Sequence, residues 1–325
     1  MYSTSAIKKS KTLIRLVRPM DVSTNDLVYP IFVREDGRKY GISSMKGQEY
    51  LSLNDAVKVC QETMDLGIPA VMIFGMIKAK DADSSVALQT DGFHSKIFKR
   101  LKSEFGENLT LISNVCLCDY TEEGYCVYTE KGKVLNEKTA QMLGKIAAVH
   151  AEAGADIVAP AAMADGQVKH MRAALDAKGF DNIAIMTYVK TNSCLFNPFY
   201  VTMAESDEPR KGIDPSKFRI DPINEKMFLR KVNLDVSEGA DIVIVKPALP
   251  NLDLIAKVKQ RYPDVPIAAY QVSGEYAMIE SSVEKGFLDR EKILMETLSS
   301  MKRAGADMIL TYHALEFAKL LKAQR

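Results

Sequence analysis

One joint recurs three times in this chain, almost letter for letter: Ala153-Gly-Ala-Asp-Ile-Val158, Glu238-Gly-Ala-Asp-Ile-Val243 and Ala304-Gly-Ala-Asp-Met-Ile309. Each glycine suits the left-handed residue that closes a helix, and the chain enters an apolar run two residues later. A chain that reuses one helix-to-strand joint is built from one repeating unit.

The apolar runs lie near residues 27–33, 70–74, 109–113, 156–159, 182–191, 241–247, 266–270 and 307–312, eight in all. Between them come segments of helical period, near 53–66, 93–105, 137–153, 167–177, 224–237, 252–261 and 291–303. In 137–153, for example, Ala140, Leu143, Ile146, Ala147 and Ala153 share one face. Eight strands buried on both faces, each followed by a crossover helix, predict an α/β (β/α)8 TIM barrel rather than an open sheet. A doubly wound sheet would show a glycine-rich phosphate turn after its first strand, and none is visible. The division expected is an N-terminal arm over 1–25, rich in Lys8, Lys9, Lys11, Arg15 and Arg18, and one catalytic barrel over 26–325.

With 43 basic and 42 acidic residues, the net charge of +1 predicts neither a nucleic-acid partner nor a strongly anionic one. No apolar run reaches membrane-spanning length and no signal peptide is apparent, so the expectation is a cytoplasmic protein with no membrane partner and a small-molecule substrate. Five cysteines in such a chain point to metal ligands, reactive thiols or core packing before disulfides. Cys60 and Cys194 stand apart from the others and read as packing residues.

In a (β/α)8 barrel, catalytic groups sit at or just after the C-terminal ends of the strands. The third run is followed by Cys116, Cys118 and Cys126, the fourth by Asp165, the fifth ends in Lys190 and the sixth in Lys246; Tyr270, Ser273 and Tyr312 follow on the last two. Lys246 closes Asp241-Ile-Val-Ile-Val-Lys246-Pro247, an apolar wall that should lower its pKa and free its amine to attack a carbonyl. The alternative for one such lysine is a strand-end ammonium reaching solvent beside a carboxylate. Two of them, Lys190 and Lys246, suggest carbonyl chemistry on two substrates, or twice on one. Three cysteines with no fourth nearby match a catalytic zinc site with an open position, a redox pair or buried thiols.

These residues carry a resemblance to the porphobilinogen synthase (5-aminolevulinate dehydratase) family. It covers nearly the whole length through Tyr29-Pro-Ile-Phe-Val33, Ser44-Met45 with Gly47, His150-Ala-Glu-Ala-Gly-Ala-Asp-Ile-Val-Ala-Pro160, Asp165-Gly166, Val245-Lys246-Pro247-Ala248, Tyr270-Gln-Val-Ser-Gly-Glu-Tyr-Ala-Met278 and Lys302-Arg-Ala-Gly-Ala-Asp307. The resemblance implies a hydro-lyase of tetrapyrrole (haem) biosynthesis that joins two 5-aminolevulinate molecules into a pyrrole, in a homo-oligomer, usually an octamer assembled through the arms. It makes Lys246 the Schiff-base lysine of the P site and Lys190 that of the A site. Tyr270, Ser273 and Tyr312 become the P-site carboxylate group, Cys116, Cys118 and Cys126 the ligands of Zn2+, and Phe199 part of the substrate-binding set.

Several positions depart from the family pattern. Tyr200 and Pro215 stand where arginines bind the A-site carboxylate, and Arg219 replaces a glutamine there. Asn114 replaces an aspartate, Tyr125 a histidine and Gln167 an arginine. Lys231 occupies the place of a glutamate tied to an allosteric Mg2+, which argues against that metal here. Either Arg210, Lys211, Lys217 and Arg219 restore anion binding, or the chain is a diverged paralogue that binds 5-aminolevulinate at Lys246 but condenses it differently or with another A-site substrate, such as a related amino ketone; a catalytically silent binding or assembly homologue is the remaining class.

Overall fold

The computed structural model describes residues 4–121, 124–204 and 214–323. Eight parallel strands form its centre: β1 (Leu27–Arg34), β2 (Ala70–Met76), β3 (Thr110–Val115), β4 (Ile157–Pro160), β5 (Ala184–Lys190), β6 (Ile242–Lys246), β7 (Ile267–Gln271) and β8 (Met308–Thr311). Each pairs with the next, and β8 returns to β1 through Leu27↔Ile309 and Val28↔Leu310, which closes the barrel. The expected (β/α)8 architecture is the one found. A short antiparallel addition, Tyr40–Gly41 with Glu49–Leu51, extends from β1.

The strands are apolar on both faces because both faces are covered. In β6, Val243 and Val245 pack outward with Phe228, Val232 and Ile255 of the surrounding helices, whereas Ile244 packs inside the barrel with Tyr188 and Tyr270. Side chains alternate along a strand, so Lys246, two residues beyond Ile244, shares the inner face at the barrel mouth. The same alternation puts Met186, Tyr188 and Lys190 of β5 on that face.

The repeated joint does the same work each time. Gly154, Gly239 and Gly305 take φ of 110°, 100° and 113°. The following N–H groups of Ala155, Ala240 and Ala306 donate back into the helices, to the carbonyls of His150, Asp235 and Met301. Each aspartate then reaches across to the preceding strand: the carboxylates of Asp156, Asp241 and Asp307 accept from the N–H groups of Leu111, Ile185 and Ile267 at 2.9, 2.7 and 2.8 Å. The motif thus ends a helix and ties β3 to β4, β5 to β6 and β7 to β8.

Two helices on the mouth side lack a clear period in the sequence. Asn197–Ala204 is apolar on every side, and Ser273–Glu284 opens with the poor helix formers Ser273 and Gly274. In the arm, the helix Lys11–Leu16 is capped by Ser10, whose Oγ accepts from the Leu13 N–H, and its apolar residue Leu16 is 80% exposed. Among the described residues, no helix is long and apolar enough to cross a membrane.

Candidate active site

Lys190 and Lys246 are direct cross-strand partners at the ends of β5 and β6. Both are buried, at 6% and 8% exposure. The Lys246 amine faces rings: its Nζ lies 4.3 Å from the centre of Tyr270, 5.1 Å from Phe199 and 5.3 Å from both Tyr188 and Phe196. Ring faces attract an ammonium, but they replace its water poorly. Burial, followed by the charges of Lys190 and Arg219, pulls the Lys246 pKa down to about 7, although the nearby Cys126 and Cys116 push the other way. Lys190 is anchored differently, by donating to the carbonyl oxygen of Ala161.

Beside Lys246 the hydroxyls of Tyr270 and Tyr312 lie 3.1 Å apart. Burial pushes both phenols far above their ordinary range, so both remain neutral donors. Ser273 begins the helix after β7, and its Oγ accepts from the Phe199 N–H at 2.9 Å, which docks the helix Asn197–Ala204 onto the site.

Across the mouth, the three sulfurs of Cys116, Cys118 and Cys126 converge, all buried and within 4.8 Å of one another. Cys118 Sγ lies 3.0 Å from Cys116 Sγ and 3.3 Å from an Asp119 carboxylate oxygen. Hydrogen bonds from Cys116 and Cys118 hold the Cys126 thiol well below its usual range, giving one thiolate in a buried trio. Zinc fits this donor set: three convergent sulfurs are the protein share of an open tetrahedral site. A cavity of about 30 Å³ touches Cys116, Cys118, Cys126, Asn114, Lys190 and Lys246, so both amines and all three sulfurs share one space.

The segment above the mouth is described from Asp214 onward. Ile220 bridges Thr191, and its N–H donates to the Lys190 carbonyl at 3.2 Å. This brings Arg219 in at 6% exposure, its guanidinium 4.9 Å from the Phe196 ring and 5.4 Å from Phe218. Lys217 is exposed and donates to the Gly132 carbonyl at 2.9 Å instead. Pro215 opens a single 3-10 turn capped by Asp214. Arg210 and Lys211 lie outside the described residues. Of the two lone cysteines, Cys60 is fully buried, but Cys194 is exposed: it sits on the turn that brings Phe196 inward, so it is not a packing residue.

Lys231 fills the place where the family resemblance pointed to a metal. Its ammonium is 2.8 Å from Asp235, donates to the Ala164 carbonyl at 3.0 Å and is 3.8 Å from Asp165. Gln167 donates to Thr187 at 3.1 Å, and Thr187 donates to Asp235 at 2.8 Å, so this polar group is knit to the wall of β5. Other contributors were not singled out from the sequence. Tyr188 had a signal, lying two residues before Lys190 on the same strand face. Asp119 had one as well, directly following Cys118 in the cysteine loop; Phe196 and the Ala161 carbonyl had none, because loop geometry brings them in.

A profile of the family described as "Delta-aminolevulinic acid dehydratase" matches residues 3–320. The chain belongs to that family. It is 42% identical to the delta-aminolevulinic acid dehydratase of Synechococcus elongatus over 321 residues, 97% of each chain. The enzyme of Bacillus subtilis is 39% identical over 318 residues, covering 97% of this chain and 96% of its own. Among solved structures, the delta-aminolevulinic acid dehydratase of Toxoplasma gondii, in complex with its reaction product porphobilinogen, superposes with a TM-score of 0.96 at 34% identity, covering 100% of this chain and 93% of that one. This chain is accordingly an enzyme of the 5-aminolevulinate dehydratase type, a lyase on a TIM barrel, with a small molecule as its ligand and a cluster suited to a metal.

Proposed function

We propose that the chain condenses two molecules of 5-aminolevulinate into porphobilinogen, with loss of two waters, through imines on Lys246 and Lys190. The observation that carries this reading is the Lys246 amine, caged by four rings and pulled to about 7, beside a second buried lysine in register. At neutral pH much of Lys246 is the free amine. It attacks the ketone of the first substrate, and the carbinolamine loses water to give the imine. Tyr312, Tyr270 and Ser273 offer hydroxyls to that substrate's carboxylate, which neutral donors bind without adding charge to the wall. Lys190, fixed by the Ala161 carbonyl, takes the ketone of the second substrate, and the buried guanidinium of Arg219 at the mouth receives its carboxylate. Zinc on Cys116, Cys118 and Cys126 would supply Lewis acidity at the second substrate. The exposed apolar residues Ile7, Leu16 and Val17 support assembly through the arm into a homo-oligomer.

The test is to incubate zinc-loaded protein with 5-aminolevulinate, detect pyrrole with an aldehyde reagent and weigh the product by mass spectrometry. Porphobilinogen is expected; no pyrrole at any zinc level defeats the reading. Tyr200 and Pro215, standing at family arginine positions, favour a second reading in which another amino ketone occupies the A site. Mixed pyrroles from paired ketones would single it out, and saturable turnover of 5-aminolevulinate alone would remove it.

A further inference from the structure

Glu275 is the third residue of the helix Ser273–Glu284 and has no exposed surface. A buried carboxylate is costly unless its oxygens are satisfied, and here three backbone N–H groups donate to it: Val272 at 2.6 Å, Leu249 at 2.6 Å and Ala248 at 3.3 Å. The first belongs to the cap of its own helix. The other two belong to the turn that directly follows Lys246. One side chain therefore fastens the helix that begins at Ser273 to the backbone that continues from the lysine. The other side of that turn is held by Asn251, whose Nδ2 donates to Pro247 O at 2.8 Å and to Thr191 Oγ1 at 2.9 Å. Burial pushes the Glu275 carboxyl up to about 7, against the three N–H donors and the charge of Lys246.

We infer that Glu275 is a positioning residue for imine formation at Lys246: it fixes the turn Pro247–Leu249 against the helix Ser273–Glu284 and so sets the span between the amine and the Ser273 hydroxyl, one of the donors to the same substrate's carboxylate. The inference rests on the reading of Lys246 as an imine-forming lysine. A carboxylate is needed because two acceptor oxygens meet three donors; a glutamine turns its own N–H2 against a backbone N–H and loses at least one bond.

The experiment compares wild type, Glu275→Gln and Glu275→Asp, whose carboxylate is one methylene short of the same donors. Each is mixed with 5-aminolevulinate, quenched with borohydride at a series of times and digested, and the adducts on Lys246 and Lys190 are counted by peptide mass. A misplacement of about 1 Å costs on the order of 100-fold in rate. Glu275→Gln is therefore expected to slow the Lys246 adduct by about 100-fold while the Lys190 adduct changes less than about twofold, and Glu275→Asp to slow Lys246 by about tenfold with the same selectivity. If Glu275→Gln does not fold, Glu275→Asp decides alone. An unchanged Lys246 rate, or equal slowing at both lysines, overturns the inference. Wild-type protein that forms no Lys246 adduct sinks the underlying reading as well, whereas a wild-type adduct with no selective loss in the variants sinks this inference alone.

Discussion

Lys190 and Lys246 occupy equivalent places on adjacent strands, yet their amines meet different surroundings. Lys246 looks onto four aromatic rings. Lys190 ends on a carbonyl oxygen beside the cysteine trio. The difference shows how one repeating fold makes two unlike sites from one residue type. The strand supplies the position and the loops that follow supply the chemistry. Apolar walls lower the pKa of one amine; a hydrogen-bond acceptor and a cluster suited to a metal surround the other.

The comparison can be broken at several points. The largest effect belongs to Lys246→Met, which removes the proposed nucleophile: turnover should fall by about 10³-fold or more, measured as pyrrole formed per chain. An equal, total loss of Lys246 adduct in Lys190→Met would instead mean that the two amines are not separable.

Next comes the metal side. Cys118→Ser, or a strong chelator, should abolish bound zinc by elemental analysis and cut turnover by at least about 100-fold, with zinc restoring only the chelated wild type. Borohydride trapping at Lys246 should survive either treatment, since that amine is activated by burial. Joint loss of trapping and metal would merge the two regions into one.

Smaller is the effect of Tyr312→Phe. Removing one neutral donor from a carboxylate costs about 1.5–3 kcal/mol, so KM should rise about 10- to 100-fold with less change in kcat.

The smallest expected effect is on stability. The Lys246 pKa near 7 lies below its ordinary 10.5, so between those values the unfolded chain holds a proton that the folded chain gives up. The penalty is absent above about 10.5, grows as pH falls to 7 and is constant below it. Lys246→Met should thus melt a few degrees higher than wild type at pH 7, with the gap closing by pH 10.5, as followed by calorimetry. A variant that melts lower would show that the amine is held by its rings more strongly than burial opposes it.

Much of this was legible in the sequence because the barrel leaves few choices. Strands covered on both faces appear as unbroken apolar runs, and the three Gly-Ala-Asp joints mark where helices stop. The role of their aspartates was not legible, because the Asp241 carboxylate finds its partner, the Ile185 N–H, 56 positions away in the chain. Both lysines and the cysteine trio could be placed on one rim by strand order alone. Phe196 could not, since it enters through a loop, and the helix Ser273–Glu284 hid behind a serine and a glycine that disfavour helix. Glu275 gives no sequence sign of its burial; only the folded chain brings the turn after Lys246 against it.

The most direct test of the two-lysine account is the order and pH dependence of trapping. Wild type is given less than one equivalent of 5-aminolevulinate, quenched with borohydride within one turnover at pH values from 5.5 to 8.5, and mapped by peptide mass. The first adduct should lie on Lys246, with a rate that rises about tenfold per unit at low pH and levels near 7, as the amine loses its proton. A first adduct on Lys190, or a Lys246 rate still climbing steeply at pH 8.5, would contradict it.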